Sequence, residues 1–275
     1  MKYTVQETRQ ITELQERLDI ISPPVCKEWR ERYYSRTNGL ILGRKNFSTF
    51  QTLVDETYRR RAVCVGDFHH FGGAKGLLIR LIDEKPESKK AVLGMEQFDL
   101  EHQPYIDLFL GREYNVDELL DMAMYEQRWE CDRTPIRRLL LTARRRDLEI
   151  IALNDPTLGY NNLSAREVCT AEIVAEILNQ DPKKTMLISY GDLHVCQPHL
   201  KREIDSRLRG RRTDDKTLSV RQNDQNIYWQ LRGKLRLPAV ARLREDTFSF
   251  HNAHPIRVLD SFFESLEMGL ESDEL

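Results

Sequence analysis

The chain has 275 residues, enough for one large domain or two small ones with a sizeable core. With 40% hydrophobic and 31% charged residues and a formal net charge of −2, it is neither disordered in bulk nor a strongly basic nucleic-acid binder. No stretch approaches the roughly eighteen uninterrupted apolar residues of a membrane span, and the opening MKYTVQETRQ lacks the apolar region of a signal peptide. Five scattered cysteines (Cys26, Cys64, Cys131, Cys169, Cys196) form no Cys-x-x-Cys pair, so reduced thiols and a cytoplasmic location are expected.

In chain order, Val5, Ile11, Leu14, Leu18 and Ile20 recur at helical spacing before Ser22-Pro23-Pro24 ends the segment. Ser48 with Gln51 reads as a capping box for a helix running to about Arg60. A first buried strand, Ala62 to Gly66, ends in GDFHH (Gly66 to His70), followed by Gly72, Gly73, Gly76 and an apolar helix through Ile82. The second strand, Ala91 to Met95, stops at Glu96-Gln97, and a carboxylate there is costly unless paired, hydrogen-bonded or bound to a cation. Asn115 and Glu118 form a second capping box. The helix from Pro135 to about Arg146 buries Ile136, Leu139, Leu140 and Ala143; its arginine run, without interleaved aromatics, predicts a solvated face rather than a nucleic-acid contact.

The third strand, Glu149 to Leu153, ends on Asn154-Asp155-Pro156. Ser164 and Glu167 head a helix as a third capping box, with Arg166 in its first turn. The fourth strand, Thr185 to Tyr190, leads into a second Gly-Asp-x-His, Gly191 to His194, and then to His199. Leu218 to Arg221 and Asp246 to Phe250 read as further extended segments, and His251-Asn-Ala-His254-Pro255 as a turn. The tail from Ser261 onward reads as a fraying amphipathic helix.

Strands alternating with helices predict an α/β fold, a mostly parallel central sheet flanked by helices on both faces. The expected organisation is an N-terminal helical segment (1–60) packed on an α/β core (61–200), with 201–275 completing the same domain. In such sheets ligands bind outside the carboxyl ends of the strands, so His69 and His194, although far apart in sequence, are expected to meet there. Two imidazoles and Glu96 make a three-ligand set suited to Mn, Co, Fe or Zn, with positions left for water or substrate. Asp67 and Asp192, each two residues before a His, are placed to orient the imidazoles or act as general base, and Arg166 to stabilise an oxyanion.

These motifs in this order resemble the clan of ChaN-like haem-uptake proteins, Tiki metalloproteases, TraB proteins and erythromycin esterases. The ChaN-like pattern matches best: GDFHH at 66–70, LGMEQF at 93–98 with Gln103 and the helix to Trp129, IIALND at 150–155, the Ser164–Glu167 helix and GDLH at 191–194. The resemblance implies a haem- or metal-binding α/β protein related to metal-dependent hydrolases, with His69, Glu96 and His194 as ligands. Asp67 stands where the family commonly carries Glu. In a haem-binding reading, His70 and Tyr190, then Tyr160 and His199, are additional ligand candidates. The alternative is a metal-dependent hydrolase of ester or amide bonds with a small-molecule or peptide substrate; a third reading is an interaction protein on a decayed enzyme fold.

Overall fold

The computed structural model describes residues 42–159, 162–196, 198–210, 216–231, 236–261 and 263, together with 7, 9, 10, 12–14 and 16. Of the expected helix over 5–20, the described residues 7, 9, 10, 12–14 and 16 are helical; Tyr160 and most of the tail lie outside the described residues. Among the described residues no helix is long and apolar enough to cross a membrane.

Eight strands form one sheet: β1 (Phe47–Ser48), β2 (Ala62–Asp67), β3 (Lys90–Asp99), β4 (Glu149–Asn154), β5 (Lys184–Gly191), β6 (Leu218–Gln222), β7 (Ala239–Arg244) and β8 (Thr247–His251). Their order is β1-β7-β8-β6-β2-β5-β3-β4. Pairing is parallel except where β7 runs antiparallel to β1 and β8. β1 and β7 have no counterpart in the sequence reading; β1 is two residues long, and β7 carries Arg242 and Arg244 in its partly exposed carboxyl half.

The helices are α1 (Phe50–Arg59), α2 (Gly72–Asp83), α3 (Gln103–Leu110), α4 (Val116–Met122), α5 (Tyr125–Trp129), α6 (Arg133–Arg145), α7 (Leu163–Gln180), α8 (Asp192–Cys196), α9 (Pro198–Arg207) and α10 (Gln225–Leu231). The uninterrupted apolar run of β2 is explained by burial on both faces. Val63 and Val65 join the core under α1, α2 and α6, whereas Ala62 and Cys64 join the core under α7 and α9.

Two expected caps shift by one or two positions. Thr49, not Ser48, caps α1 by accepting the Thr52 N–H at 3.0 Å, because Ser48 is committed to β1. Asn162, not Ser164, caps α7 through Ala165 N at 3.3 Å, which leaves Glu167 free of the helix end. The Asn115–Glu118 capping box forms as expected. Three arginines on α6 and at its end are held by Asp117 (Arg137, 3.1 Å), Asp83 (Arg145, 2.7 Å) and Glu87 (Arg146, 3.3 Å) at the surface.

Candidate functional site

β2, β5, β3 and β4 are neighbours, so their carboxyl ends carry Asp67, Gly191, Glu96 and Asn154 side by side. β3 does not stop at Met95: it runs on to Asp99, and its register against β4 shifts between Met95 and Asp99. Such an irregularity re-aims side chains. Glu96 and Gln97 lie within it, and both are buried.

Glu96 is the centre of the site. Its Oε1 accepts Arg166 Nη2 at 2.6 Å and its Oε2 accepts the Gly191 N–H at 2.6 Å. His69 Nε2 stands 3.8 Å from Oε2 and His194 Nε2 stands 4.0 Å from Oε1. A methyl group on Gly191 would lie 3.4 Å from both Glu96 Oε2 and His69 Nε2 and 3.5 Å from the His194 ring, so the missing side chain is what leaves room between the three groups.

Each imidazole is anchored from behind. His69 Nδ1 donates to Asp67 Oδ2 at 2.8 Å, and that oxygen also receives Lys75 Nζ at 2.8 Å and Gln97 Nε2 at 2.7 Å. Burial pushes the Asp67 carboxyl up, but Lys75 and His69 outweigh it and hold the group below the usual carboxylate range. The His69 ring packs on Trp129 with centroids 4.4 Å apart, and Trp129 is fixed by its Nε1–H donating to Gln97 O at 3.1 Å. His194 Nδ1 donates to Glu167 Oε1 at 2.6 Å, and the other oxygen of Glu167 takes His199 Nδ1. With Nδ1 committed as donor, Nε2 of each ring is the nitrogen turned toward Glu96 and left for proton transfer or ligation.

His69, Glu96, His194, Arg166 and Asp67 are thus brought together. Asp192 is adjacent but serves the frame: its carboxylate accepts the Gln222 N–H at 3.2 Å and packs where a Gly66 side chain would stand, 1.8 Å from that would-be Cβ. The carboxylate that orients His194 is Glu167. Tyr190 is fully buried, its hydroxyl accepts Thr170 Oγ1 at 3.1 Å, and its ring edge supports His194 with centroids 4.9 Å apart. Burial pushes the Tyr190 hydroxyl well up in pKa. His70 lies outside the Glu96 cluster and lines a neighbouring cleft; burial pushes it down to about 4. Arg166 also donates to Asn154 Oδ1 at 3.0 Å, and Asn154 donates on to Asp99 at 2.5 Å.

Imidazole nitrogen and carboxylate oxygen suit Mn, Fe, Co or Zn. Yet the two Nε2 atoms face different oxygens of a glutamate that already holds a guanidinium. Among the described residues the one group with ligand atoms all within 4.8 Å of one another is Asp99, Glu101 and His102. There Asp99 is bound by Arg128 at 2.6 Å and His102 Nδ1 accepts the Asp99 N–H at 3.1 Å, a cap rather than a metal cage. Among the described residues the ligand atoms of His69, Glu96 and His194 do not all lie within 4.8 Å of one another, and the Glu96 charge is met by Arg166 at 2.6 Å.

Residues 53–168 match a family model described as haem-binding uptake, Tiki superfamily, ChaN. The matched segment resembles the ChaN-like family. No curated protein matches the chain. Among solved structures, the chain resembles the type III effector HopBA1 at 12% identity and a TM-score of 0.47, over 78% of this chain and 98% of that one. It resembles ChaN of Campylobacter jejuni, solved for cofacial haem binding, at 9% identity and 0.48, over 76% and 99%. It also resembles RRSP, a MARTX toxin effector domain from Vibrio vulnificus CMCP6, at 18% identity and 0.41, over 68% and 40%. The matched segment contributes Asp67, His69, Glu96 and Arg166, while His194 comes from α8 beyond it.

Proposed function

We propose that the chain hydrolyses an ester or amide bond at the Glu96 centre, with the two imidazoles carrying the protons. The observation behind this reading is that His69 and His194, each with Nδ1 on a buried carboxylate, direct Nε2 toward opposite oxygens of one glutamate. His69, with a side chain 22% exposed against 6% for His194, is the general base. Its Nε2 takes a proton as water oxygen bonds to the acyl carbon. Protonated His194, its charge balanced by Glu167, gives its Nε2 proton to the leaving oxygen or nitrogen as that bond breaks. Arg166 fixes Glu96 and balances its charge, and Gly191 keeps the reacting volume open.

Turnover of p-nitrophenyl esters tests the reading. Activity that survives EDTA and falls by about 10²-fold or more in both His69→Ala and His194→Ala supports it. Activity abolished by EDTA and restored by Mn or Zn would instead make His69, Glu96 and His194 metal ligands, and no activity in either state would sink the hydrolase.

A haem-binding reading is favoured by the family description matched by residues 53–168 and by the neutral His70 beside His69, since unprotonated imidazole is the form that ligates iron. A Soret band on titration with haemin, lost in His70→Ala, would support it.

A further inference from the structure

Next to His69 lies a cleft of about 790 Å3 with walls from three parts of the fold: the first turns of α2, the α5–α6 junction, and residues 252–261. Its lining is mixed in a specific way. Phe71, Ile79 and Pro135 supply apolar surface, while Arg138 on α6 and Arg257 on the 255–261 helical segment supply charge. Among the described residues neither arginine has an ion-pair partner, unlike Arg137 and Arg145 on α6 and Arg146 at its end. The other cations in the wall are engaged: Lys75 binds Asp67, and the Arg80 guanidinium stacks 3.9 Å above Phe50. Of the two wall carboxylates, Asp132 caps α6 through Thr134 N at 2.8 Å; Asp260, three residues from Arg257, does not pair with it. Gly76 faces open space, with nothing within 4 Å of a Cβ built there.

We propose that this cleft holds the non-reacting part of the substrate, and that this part is an amphipathic anion: an apolar body with a carboxylate or similar group against Arg138 and Arg257. The assignment rests on the hydrolytic reading only in calling the ligand a substrate; the cleft's selectivity stands without it. His69 belongs to the cleft wall and to the Glu96 centre, so a ligand seated here presents its scissile bond to that imidazole. Two guanidiniums without an ion-pair partner among the described residues, set beside apolar surface, favour an anion, since charge-assisted hydrogen bonds to arginine exceed neutral ones.

The probe is 8-anilinonaphthalene-1-sulfonate, an amphipathic anion, compared with the uncharged N-phenyl-1-naphthylamine, both followed by fluorescence on the full chain. The parent is expected to bind the anionic probe at one site. Arg138→Ala/Arg257→Ala, both surface positions, is expected to weaken it by about tenfold or more while leaving the neutral probe within about twofold. Gly76→Phe, filling the open space, is expected to exclude both probes with the circular dichroism unchanged. His194→Ala is expected to keep probe binding while losing ester turnover, so a parent without turnover would remove the hydrolase and not the cleft. No binding by the parent, equal loss of both probes in the arginine variant, or retained binding in Gly76→Phe would overturn the proposal.

Discussion

At the scale of single residues, the site depends on one absent side chain and one carboxylate that serves two rings. Gly191→Ala places a methyl at ordinary contact distance from Glu96, His69 and the His194 ring, so the fold tolerates it but the space between the three groups is gone. The expected result is a melting temperature within a few degrees of the parent and turnover lost by about 10²-fold or more. A Gly191→Ala enzyme with parental kcat would show that the reacting groups do not work across that space. Glu167 is the second point: it takes His194 on one oxygen and His199 on the other. Glu167→Gln has one acceptor oxygen for two donor nitrogens, and is expected to lower kcat about 10- to 100-fold with little change in KM. An equal loss spread into KM would mean that Glu167 shapes binding instead. His69, Glu96, His194, Arg166 and Asp67 were readable because each stands at or just beyond an apolar strand or in a helix start. Glu167 was hidden by its spacing from Ser164, which mimics a capping box, and Asp192 was misread because proximity in sequence to His194 does not decide which way a carboxylate faces. Trp129 and Lys75 carried no local signal, since their roles arise from packing across the sheet.

At the scale of elements, the four site strands were legible because buried parallel strands read as unbroken apolar runs, and their ends fall within a few residues of the expected positions. What escaped was set by neighbours. β3 continues past Glu96 where β4 pairs again with Asp99, and β7 is held between β1 and β8. Cap positions are similarly decided by whether the preceding residue is claimed by a strand, and α1 gives a direct check. Thr49→Ala removes the side-chain oxygen that accepts Thr52 N–H and is expected to cost about 1 kcal/mol in urea unfolding, whereas Ser48→Ala leaves the cap intact and is expected to stay within about 0.5 kcal/mol. The reverse ranking would return the cap to Ser48.

For the whole molecule, residues 218–251 complete the sheet that carries the site, so the stability of that half sets the conditions under which the centre persists. His251, at the end of β8, is fully buried, with Nε2 hydrogen-bonded to Ser249 Oγ at 2.9 Å. Burial, reinforced by Arg221, pushes it from 6.5 down to about 3. The unfolded chain therefore binds a proton at this residue below about pH 6.5 that the folded chain refuses until about pH 3. The stability that the neutral ring contributes is fully present above pH 6.5 and is lost as pH falls toward 3, with a slope of about 1.4 kcal/mol per pH unit from this one group. His70, pushed down to about 4, and Asp67, held below its usual range, act with the same sign in acid. Urea unfolding at a series of pH values should show stability falling through this window in the parent. His251→Gln should be less stable at pH 7 but flatter below pH 6.5, with a slope smaller by about 1.4 kcal/mol per unit, so that the two curves converge in acid. Parallel curves would mean that His251 takes up its proton equally in both states, and that the acid sensitivity of the fold resides near the Asp67 end of β2 instead.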